Sequence, residues 1–470
     1  MKQAIIVSTE DQHWRKSGVI ARHWVPYKEN QVECRLCPRH CRPRNGQFGF
    51  NRVRGTVDGK LYTFNYGKSV AATEELIETE AVNHYAPGAR ILSLGNVGCM
   101  MSCDFCQNWE TSQVKHLNPS VVKYYTPEDI VKSCIDSGIG IISWTYNDPV
   151  VWHEFVVDTS ILAKKQGIKT LYKSAFYIEQ EPVKELIECI DIFSISLKSM
   201  SEDFYRKFTK AELGPVLERI KQVHASGRHL EISQLVITDR NDNRVDIGKT
   251  IDWVYENLGP DIPLHFVAFH PAYKYTEVAR TSPEILYQGR RLAKKKGIKH
   301  CYLGNLFDEN AANTFCTKCG HKLVERFGLK ASVVGINKDN CCENCGTPTS
   351  IKYPFDGIKK LQEPDDFNVI RKTIFHWNVE ANSLHVELTG SATQKVYLKV
   401  SSSSRKNAYY MLGKGISRII ISRDSDSEQQ INLGWNADVA LKFYPVLDRA
   451  HFPVLEDLDT SLKGIKSRKK

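Results

Sequence analysis

The sequence predicts an α/β protein built on a full or partial (β/α) barrel, and three observations predict it. Between residues 85 and 310, short apolar runs alternate with amphipathic helical stretches. Most of those helical stretches close on a glycine. Past residue 353 the pattern changes to short strands with polar breaks.

The strand-like runs are 90–94, 139–144, 169–172, 190–196, 229–236, 264–269 and 300–303. Helical patterns at 128–137, 150–166, 181–189, 213–225, 245–257 and 283–296 separate most of them, with apolar residues at i, i+3 and i+4. Gly138, Gly167, Gly227 and Gly297 are helix stops. Alternation at this pitch means repeated βα units on a parallel sheet. Roughly six or seven such units suit a barrel, whose active site lies at the C-terminal ends of the strands. Residues 1–84 then form an N-terminal cysteine-containing segment and 85–310 the barrel. Residues 311–353 form a zinc-ribbon-like or rubredoxin-like unit, 364–460 a β-rich C-terminal domain and 461–470 a basic tail. In the β-rich domain, 384–388, 395–400, 417–422 and 439–444 read as strands, and no motif there carries chemistry.

The 470 residues are 41% hydrophobic and 25% charged, an ordinary globular balance with room for roughly two to four domains. The formal charge is +10, and five Lys or Arg crowd residues 463–470, a run that reads as a solvated end. No basic stripe with interleaved aromatics runs through the chain, so nucleic acid is not an expected partner. Glu10, Asp11, Arg15 and Lys16 follow the apolar residues 4–7 at once, against a signal peptide. No apolar run reaches about 18 residues, so no membrane is expected. The expectation is a cytoplasmic protein whose 14 cysteines serve as metal ligands or thiols rather than disulfides. Cys134, Cys189 and Cys301 stand alone and read as small buried apolar residues. The others fall into three tight groups.

The central group, Cys99-x3-Cys103-x2-Cys106, follows the first predicted strand of the barrel, on a loop at its active end. Three thiolates at this spacing can wrap one [4Fe–4S] cubane and leave its fourth iron open. S-adenosylmethionine (SAM) can chelate that iron through its amino nitrogen and carboxylate. An electron from the cluster then cleaves the sulfonium and releases a 5′-deoxyadenosyl radical, which abstracts hydrogen. Zinc is the competing reading, but zinc prefers four ligands in paired knuckles, and no fourth cysteine lies nearby.

Further stretches agree: Cys34-x2-Cys37-x3-Cys41, residues 59–67, Gln107-Asn108-Trp109 after the last cysteine, Thr145-Tyr-Asn-Asp148-Pro149, 204–206, His265 with Phe269-His270-Pro271, and Gly304-Asn305. In this order, over about residues 30–350, the chain resembles the radical SAM enzymes related to pyruvate formate-lyase activating enzymes, and within them the AmmeMemoRadiSam branch. The resemblance implies a barrel of radical SAM type and an electron donor such as flavodoxin or ferredoxin. It places Phe105 against the adenine of SAM. It implies that Asp148, where the family usually has Glu, receives the SAM amino group, and that Lys198 pairs with the SAM carboxylate. Lys198, His265 and His270 are the candidate catalytic residues. A structural ion pair is the alternative for Asp148 and Lys198, and a hydrogen-bonded core imidazole for the two histidines. Ser196 and Ser199 stand where the family has Asp and Gly, and Lys173-Ser-Ala-Phe-Tyr177 replaces Thr-Asn-Gly-Tyr. These departures fall at strand ends that face SAM and substrate.

Two groups flank the barrel. Cys316-x2-Cys319-Gly and Cys342-x2-Cys345-Gly form paired knuckles, the pattern of structural Zn²⁺, with iron or an auxiliary Fe–S cluster as the alternative. Cys341 is a spare thiol that could replace Cys342. Cys34, Cys37 and Cys41 lack the fourth cysteine of the family pattern, whose place is taken by Phe50. His40 could serve instead, or the group is a degenerate remnant.

The expected function is reductive cleavage of SAM and hydrogen abstraction from a small molecule or peptide. The alternatives are an activase for a glycyl radical enzyme and a metal-binding adaptor on a decayed fold. The β-rich domain is a candidate for recognising a protein or peptide substrate.

Overall fold

Seven parallel strands laid side by side in sequence order form the body of the molecule. The computed structural model describes residues 5–6, 13–15, 17–306, 308–353 and 367–446, apart from 378–380, 382, 390–394, 404, 406, 414 and 426. The expected basic tail lies outside the described residues. We label the sheet in chain order: β1 (Lys68–Leu76), β2 (Arg90–Asn96), β3 (Ile141–Thr145), β4 (Lys169–Ser174), β5 (Ile192–Leu197), β6 (His229–Val236), β7 (Leu264–Ala268) and β8 (Cys301–Gly304). Between β2 and β8 run α1 (Pro127–Ser137), α2 (His153–Lys165), α3 (Gln180–Cys189), α4 (Leu213–Ala225), α5 (Arg244–Leu258) and α6 (Pro283–Lys296), one per crossover. Such crossovers are right-handed. Repeated between neighbouring strands, they put every helix on one face, so the other face turns inward as a partial barrel.

Local chemistry explains the elements. The strands are buried on both faces, as Ile-Ile-Ser-Trp-Thr of β3 shows, so they read as continuous apolar runs. Helix α1 opens on a capping box, with Thr126 and Asp129 satisfying each other's backbone N–H and Pro127 at the first position. It ends at Gly138 in the left-handed region. The helix expected over 150–166 begins later. Asp148 caps Val150 N, and Pro149–Trp152 is a 3-10 turn before α2 starts at His153.

The sheet carries one strand the sequence did not announce. β1 runs antiparallel to β2, and its residues precede position 85. At its other edge β1 pairs in parallel with Arg418–Ser422, through Thr73 and Glu74. That strand leads on to Ser383–Leu388 and Leu441–Val446. Four more antiparallel strands, Arg371–His376, Gln430–Trp435, Val396–Ser401 and Ala408–Leu412, form a second sheet. The β-rich segment therefore continues the barrel sheet.

The N-terminal segment is held to the barrel by a buried ion pair. Arg54 Nη1 donates to both oxygens of Glu154 on α2, at 3.0 and 3.2 Å, and both side chains are 1% exposed. Arg22 N donates to the same carboxylate at 2.7 Å. Removing one partner of such a pair strands the other charge in low dielectric. Arg54→Ala is expected to cost about 3–5 kcal/mol, read as a fall in the urea midpoint. Lys184→Ala, which removes an exposed pair with Glu181, is expected to leave the midpoint unchanged.

Candidate active site

The inward face and the C-terminal ends of the strands enclose a cavity of about 490 Å³, within the range of roughly 300–1,000 Å³ usual for small-molecule sites. Residues two apart on one strand share a face. Thus Ser233 and Leu235 of β6, His265 and Val267 of β7, and Tyr302 and Gly304 of β8 all line it. The loop after β2 brings Cys99, Cys103 and Cys106 into the same wall.

That loop is clamped. Gly98 has φ +88°, and a Cβ there would lie 2.9 Å from Val53 Cγ1 and 3.2 Å from Asn51 O, so only glycine fits. Ser102 N donates to Thr209 O, Asp104 N to Phe208 O and Lys274 N to Asp104 O, each at 3.0 Å. Residues 208 and 209 belong to a π-helical turn, Tyr205–Thr209, a geometry frequent at functional sites. Met101 N donates to Cys99 Sγ at 3.3 Å, and Ser112 Oγ lies 3.3 Å from Cys106 Sγ. Burial raises all three thiols, Cys103 to about 12, while the Lys198 charge pulls Cys103 and Cys106 back down.

Asp148 and Lys198 line the cavity with the thiols. Asp148 Oδ1 accepts Val150 N at 3.1 Å and Ser174 Oγ at 2.8 Å, and Oδ2 accepts Ala175 N at 2.8 Å. A carboxylate offers about four acceptor positions, so one remains. Burial pushes Asp148 up to about 6, against the pull of those three donors and of Lys198. Lys198 makes no ion pair among the described residues, and its backbone is fixed by Tyr205 OH and Asn241. Phe105 stands in the cavity wall with its ring against Phe204. His265 also lines it, but its Nε2 is bound to Glu231 Oε2 at 2.7 Å. His270 lies beyond the end of β7, where strand alternation stops, and is not part of the wall.

The structure adds residues the sequence did not single out. Glu75 and Glu80 are buried in the cavity wall. Glu80 accepts from Ser93 and Ser143 through Oε1 and from Thr145 through Oε2. Burial and the neighbouring Glu80 charge push Glu75 up to about 8. Lys173 donates to Ser194 and Ser233, and burial lowers it to about 8. Arg326 and Leu329 of the knuckle unit and Ser383, His385 and Ile420 of the β-rich segment also line the cavity. The sequence signal was faint: Lys173 stood out as a departure from the family pattern, and Glu75 lay in a strand that charge concealed.

In the knuckles, Cys316 Sγ lies 3.6 Å from Cys345 Sγ, and Cys319 Sγ 3.7 Å from Cys342 Sγ. Tetrahedral zinc with Zn–S near 2.3 Å sets its sulfurs about 3.8 Å apart, so this group could hold a metal. Cys342 takes the fourth place. Cys341 points its Sγ to Asp339 O instead. Near the N-terminus, Cys34, Cys37 and Cys41 line a small void behind the cluster loop, with Phe50 and Met100. His40 is turned away to Glu179 at 2.8 Å, so it does not complete that group. Phe50 N donates to Cys41 Sγ, and the Phe50 ring packs under Arg39. Cys342→Ser is expected to remove the knuckle metal, and Cys341→Ser to leave it in place, read as metal content of the purified protein.

The Radical SAM superfamily pattern matches residues 95–254, which take in the cluster loop and β3 to β6. A 326-residue stretch is 37% identical to an uncharacterized protein of Methanocaldococcus jannaschii, covering 69% of this chain and 96% of that one. The (2S)-3-sulfopropanediol dehydratase activating enzyme of Klebsiella oxytoca is 25% identical over 245 residues, 51% of this chain and 76% of that one. The 4-hydroxyphenylacetate decarboxylase activating enzyme of Clostridium scatologenes is 24% identical over 220 residues, 44% and 70% of the two chains. No helix among the described residues is long and apolar enough to cross a membrane. Similarity of this extent, together with the superfamily pattern across the cluster loop, means that the chain belongs to the radical SAM superfamily of enzymes, which use a [4Fe–4S] cluster and SAM.

Proposed function

We propose that Cys99, Cys103 and Cys106 hold the [4Fe–4S] cluster, with SAM bound beside it in the cavity. The observation that carries this reading is that the three thiols, Asp148 and Lys198 share one wall at the C-terminal ends of the strands. When bound and reduced by a donor such as flavodoxin or ferredoxin, the cluster and SAM supply a 5′-deoxyadenosyl radical for hydrogen abstraction. The protein's part is to bind and to shield. The open acceptor position of Asp148 takes an N–H of the SAM amino group, Lys198 pairs with its carboxylate, and Phe105 offers a ring face to the adenine. Glu80, Lys173 and His265, on the inner wall, contact the substrate, with Lys198 fixing SAM for the reaction. His270 is not assigned a role. The knuckle cysteines hold Zn²⁺ in this reading.

The substrate is a small molecule or peptide enclosed partly by the knuckle and β-rich segments. The activating-enzyme relatives favour a second reading, in which the hydrogen comes from a glycine of a partner enzyme. Electron paramagnetic resonance of a mixture with such a partner separates the two, since only the activase leaves a glycyl radical on it.

Anaerobically reconstituted protein given dithionite and SAM is expected to release 5′-deoxyadenosine. Alanine at Cys99, Cys103 or Cys106 is expected to abolish that product and cluster iron together. Product at the wild-type rate from any of the three variants would overturn the assignment.

The pH dependence follows from Asp148. Its raised pKa means that it gains a proton as pH falls through about 6. The amino N–H of SAM then loses its carboxylate acceptor. The Kd for SAM is expected to be flat above about pH 7 and to rise up to about tenfold per unit below 6. Asp148→Asn is expected to bind weakly at all pH values, without that bend, as read by calorimetric titration.

A further inference from the structure

We propose that His23, His153 and Glu185 form a divalent metal site, separate from all three cysteine groups, that staples the N-terminal segment to helices α2 and α3. One ligand atom from each lies within 4.8 Å of the others. His23 Nε2 is 3.3 Å from His153 Nε2 and 3.2 Å from Glu185 Oε1, and His153 Nε2 is 3.1 Å from Glu185 Oε2. Ligands about 2.0–2.1 Å from a tetrahedral zinc lie about 3.3 Å apart. The triangle has those dimensions, and it is built from two imidazole nitrogens and a carboxylate, a donor set suited to zinc.

Three separate elements aim these groups at one point. His23 precedes the strand Trp24–Lys28 and holds a left-handed backbone, φ +54°. His153 opens α2 and is fully buried. Glu185 stands on α3. A non-glycine residue in the left-handed region carries a local cost, and here it turns the His23 ring edge-on to His153, with centroids 5.0 Å apart. Arg22 Nη1 donates to Glu185 Oε2 at 2.9 Å. A partner of this kind orients a ligating carboxylate, here with Oε1 toward His23 and Oε2 toward His153.

The surrounding charge admits a cation. Glu154, Asp158 and Glu185 stand against the guanidinium groups of Arg22 and Arg54, three negative charges to two positive. Two imidazole nitrogens 3.3 Å apart are better served by one shared cation than by two protons directed into the same gap.

The test uses the full chain without an affinity tag, carrying Cys319→Ser and Cys342→Ser so that the knuckles hold no metal. One equivalent of zinc is expected to remain after dialysis. Its X-ray absorption is expected to show nitrogen and oxygen neighbours at about 2.0–2.1 Å and no sulfur. Adding Glu185→Gln or His23→Gln is expected to weaken that zinc at least tenfold while cluster iron stays unchanged. These two residues are less buried than His153, and glutamine keeps much of their bulk. In the wild-type chain, should the double serine variant fail to fold, the same changes are expected to lower zinc from two equivalents to one. A carboxylate that merely accepts two ring N–H groups gives similar distances. In that case the zinc absorption shows sulfur only, or the glutamine variants lose no zinc, and the proposal falls.

Discussion

A thiol taken out of water keeps its proton, and the site at the end of the barrel is organised around that fact. Cys99, Cys103 and Cys106 share one buried wall, where each would raise the cost of ionising the next. Only positive charge placed among them makes three thiolates stable there. Lys198 supplies a fixed part of it. Iron would supply the rest. Two of the knuckle sulfurs stand in the opposite condition. Hydrogen bonds from Thr347 hold Cys345 down at about 6, and Cys319 is lowered by Asn344. Burial raises the Cys342 thiol to about 11, so a metal at the knuckles would still have to displace a proton there.

The same low dielectric governs the rest of the cavity. Glu80 keeps its place by accepting from three hydroxyls, and Lys173 by donating to two more. These are fixed dipoles standing where water would otherwise be. Glu75, with no cation of its own nearby, takes a proton instead. Burial thus brings both Glu75 and Lys173 to about 8. Either can shift state for a modest electrostatic change. A polar substrate entering here would meet groups already oriented, at no cost in reorganisation.

Much of this was legible because parallel sheets write themselves plainly. Strands such as 229–236 and helices such as 213–225 and 283–296 were read with the bounds they have, since burial on both sides leaves an unbroken apolar run and glycine marks the helix ends. The cluster loop and the knuckles were legible as cysteine spacing. What escaped was charge buried in pairs. β1 reads as a polar segment, yet Glu74 is met by Arg90 and Glu75 by the Tyr146 hydroxyl, partners 16 and 71 residues away. The His23, His153 and Glu185 cluster escaped for the same reason. The strands Ala408–Leu412 and Gln430–Trp435 were also missed, each flanked by polar stretches that masked a short pattern. Strand alternation carries His265 and Val267 to the cavity, and His270 lies past its end.

The added units are not ornaments on a complete barrel. Arg326, on the knuckle strand Lys322–Phe327, is 2% exposed, binds Ala312 O and Thr314 Oγ1 within its own unit and reaches out of it to Asn83 O. It thereby fixes the segment between β1 and β2, where Asn83 N and His84 N are themselves held by Glu231 of β6. A metal that orders the knuckles would thus order one wall of the cavity, through this buried guanidinium and through Lys352, whose backbone pairs with His84 and Ala86. On the opposite side, Ser417 N donates to Ala72 O of β1, and Lys330 of the knuckle unit pairs with Asp424 of the β-rich segment. The β1 edge of the barrel sheet is extended by strands of the β-rich segment. The shape presented to a substrate is set by residues far from the cluster loop in sequence, and the chemistry by the loop itself.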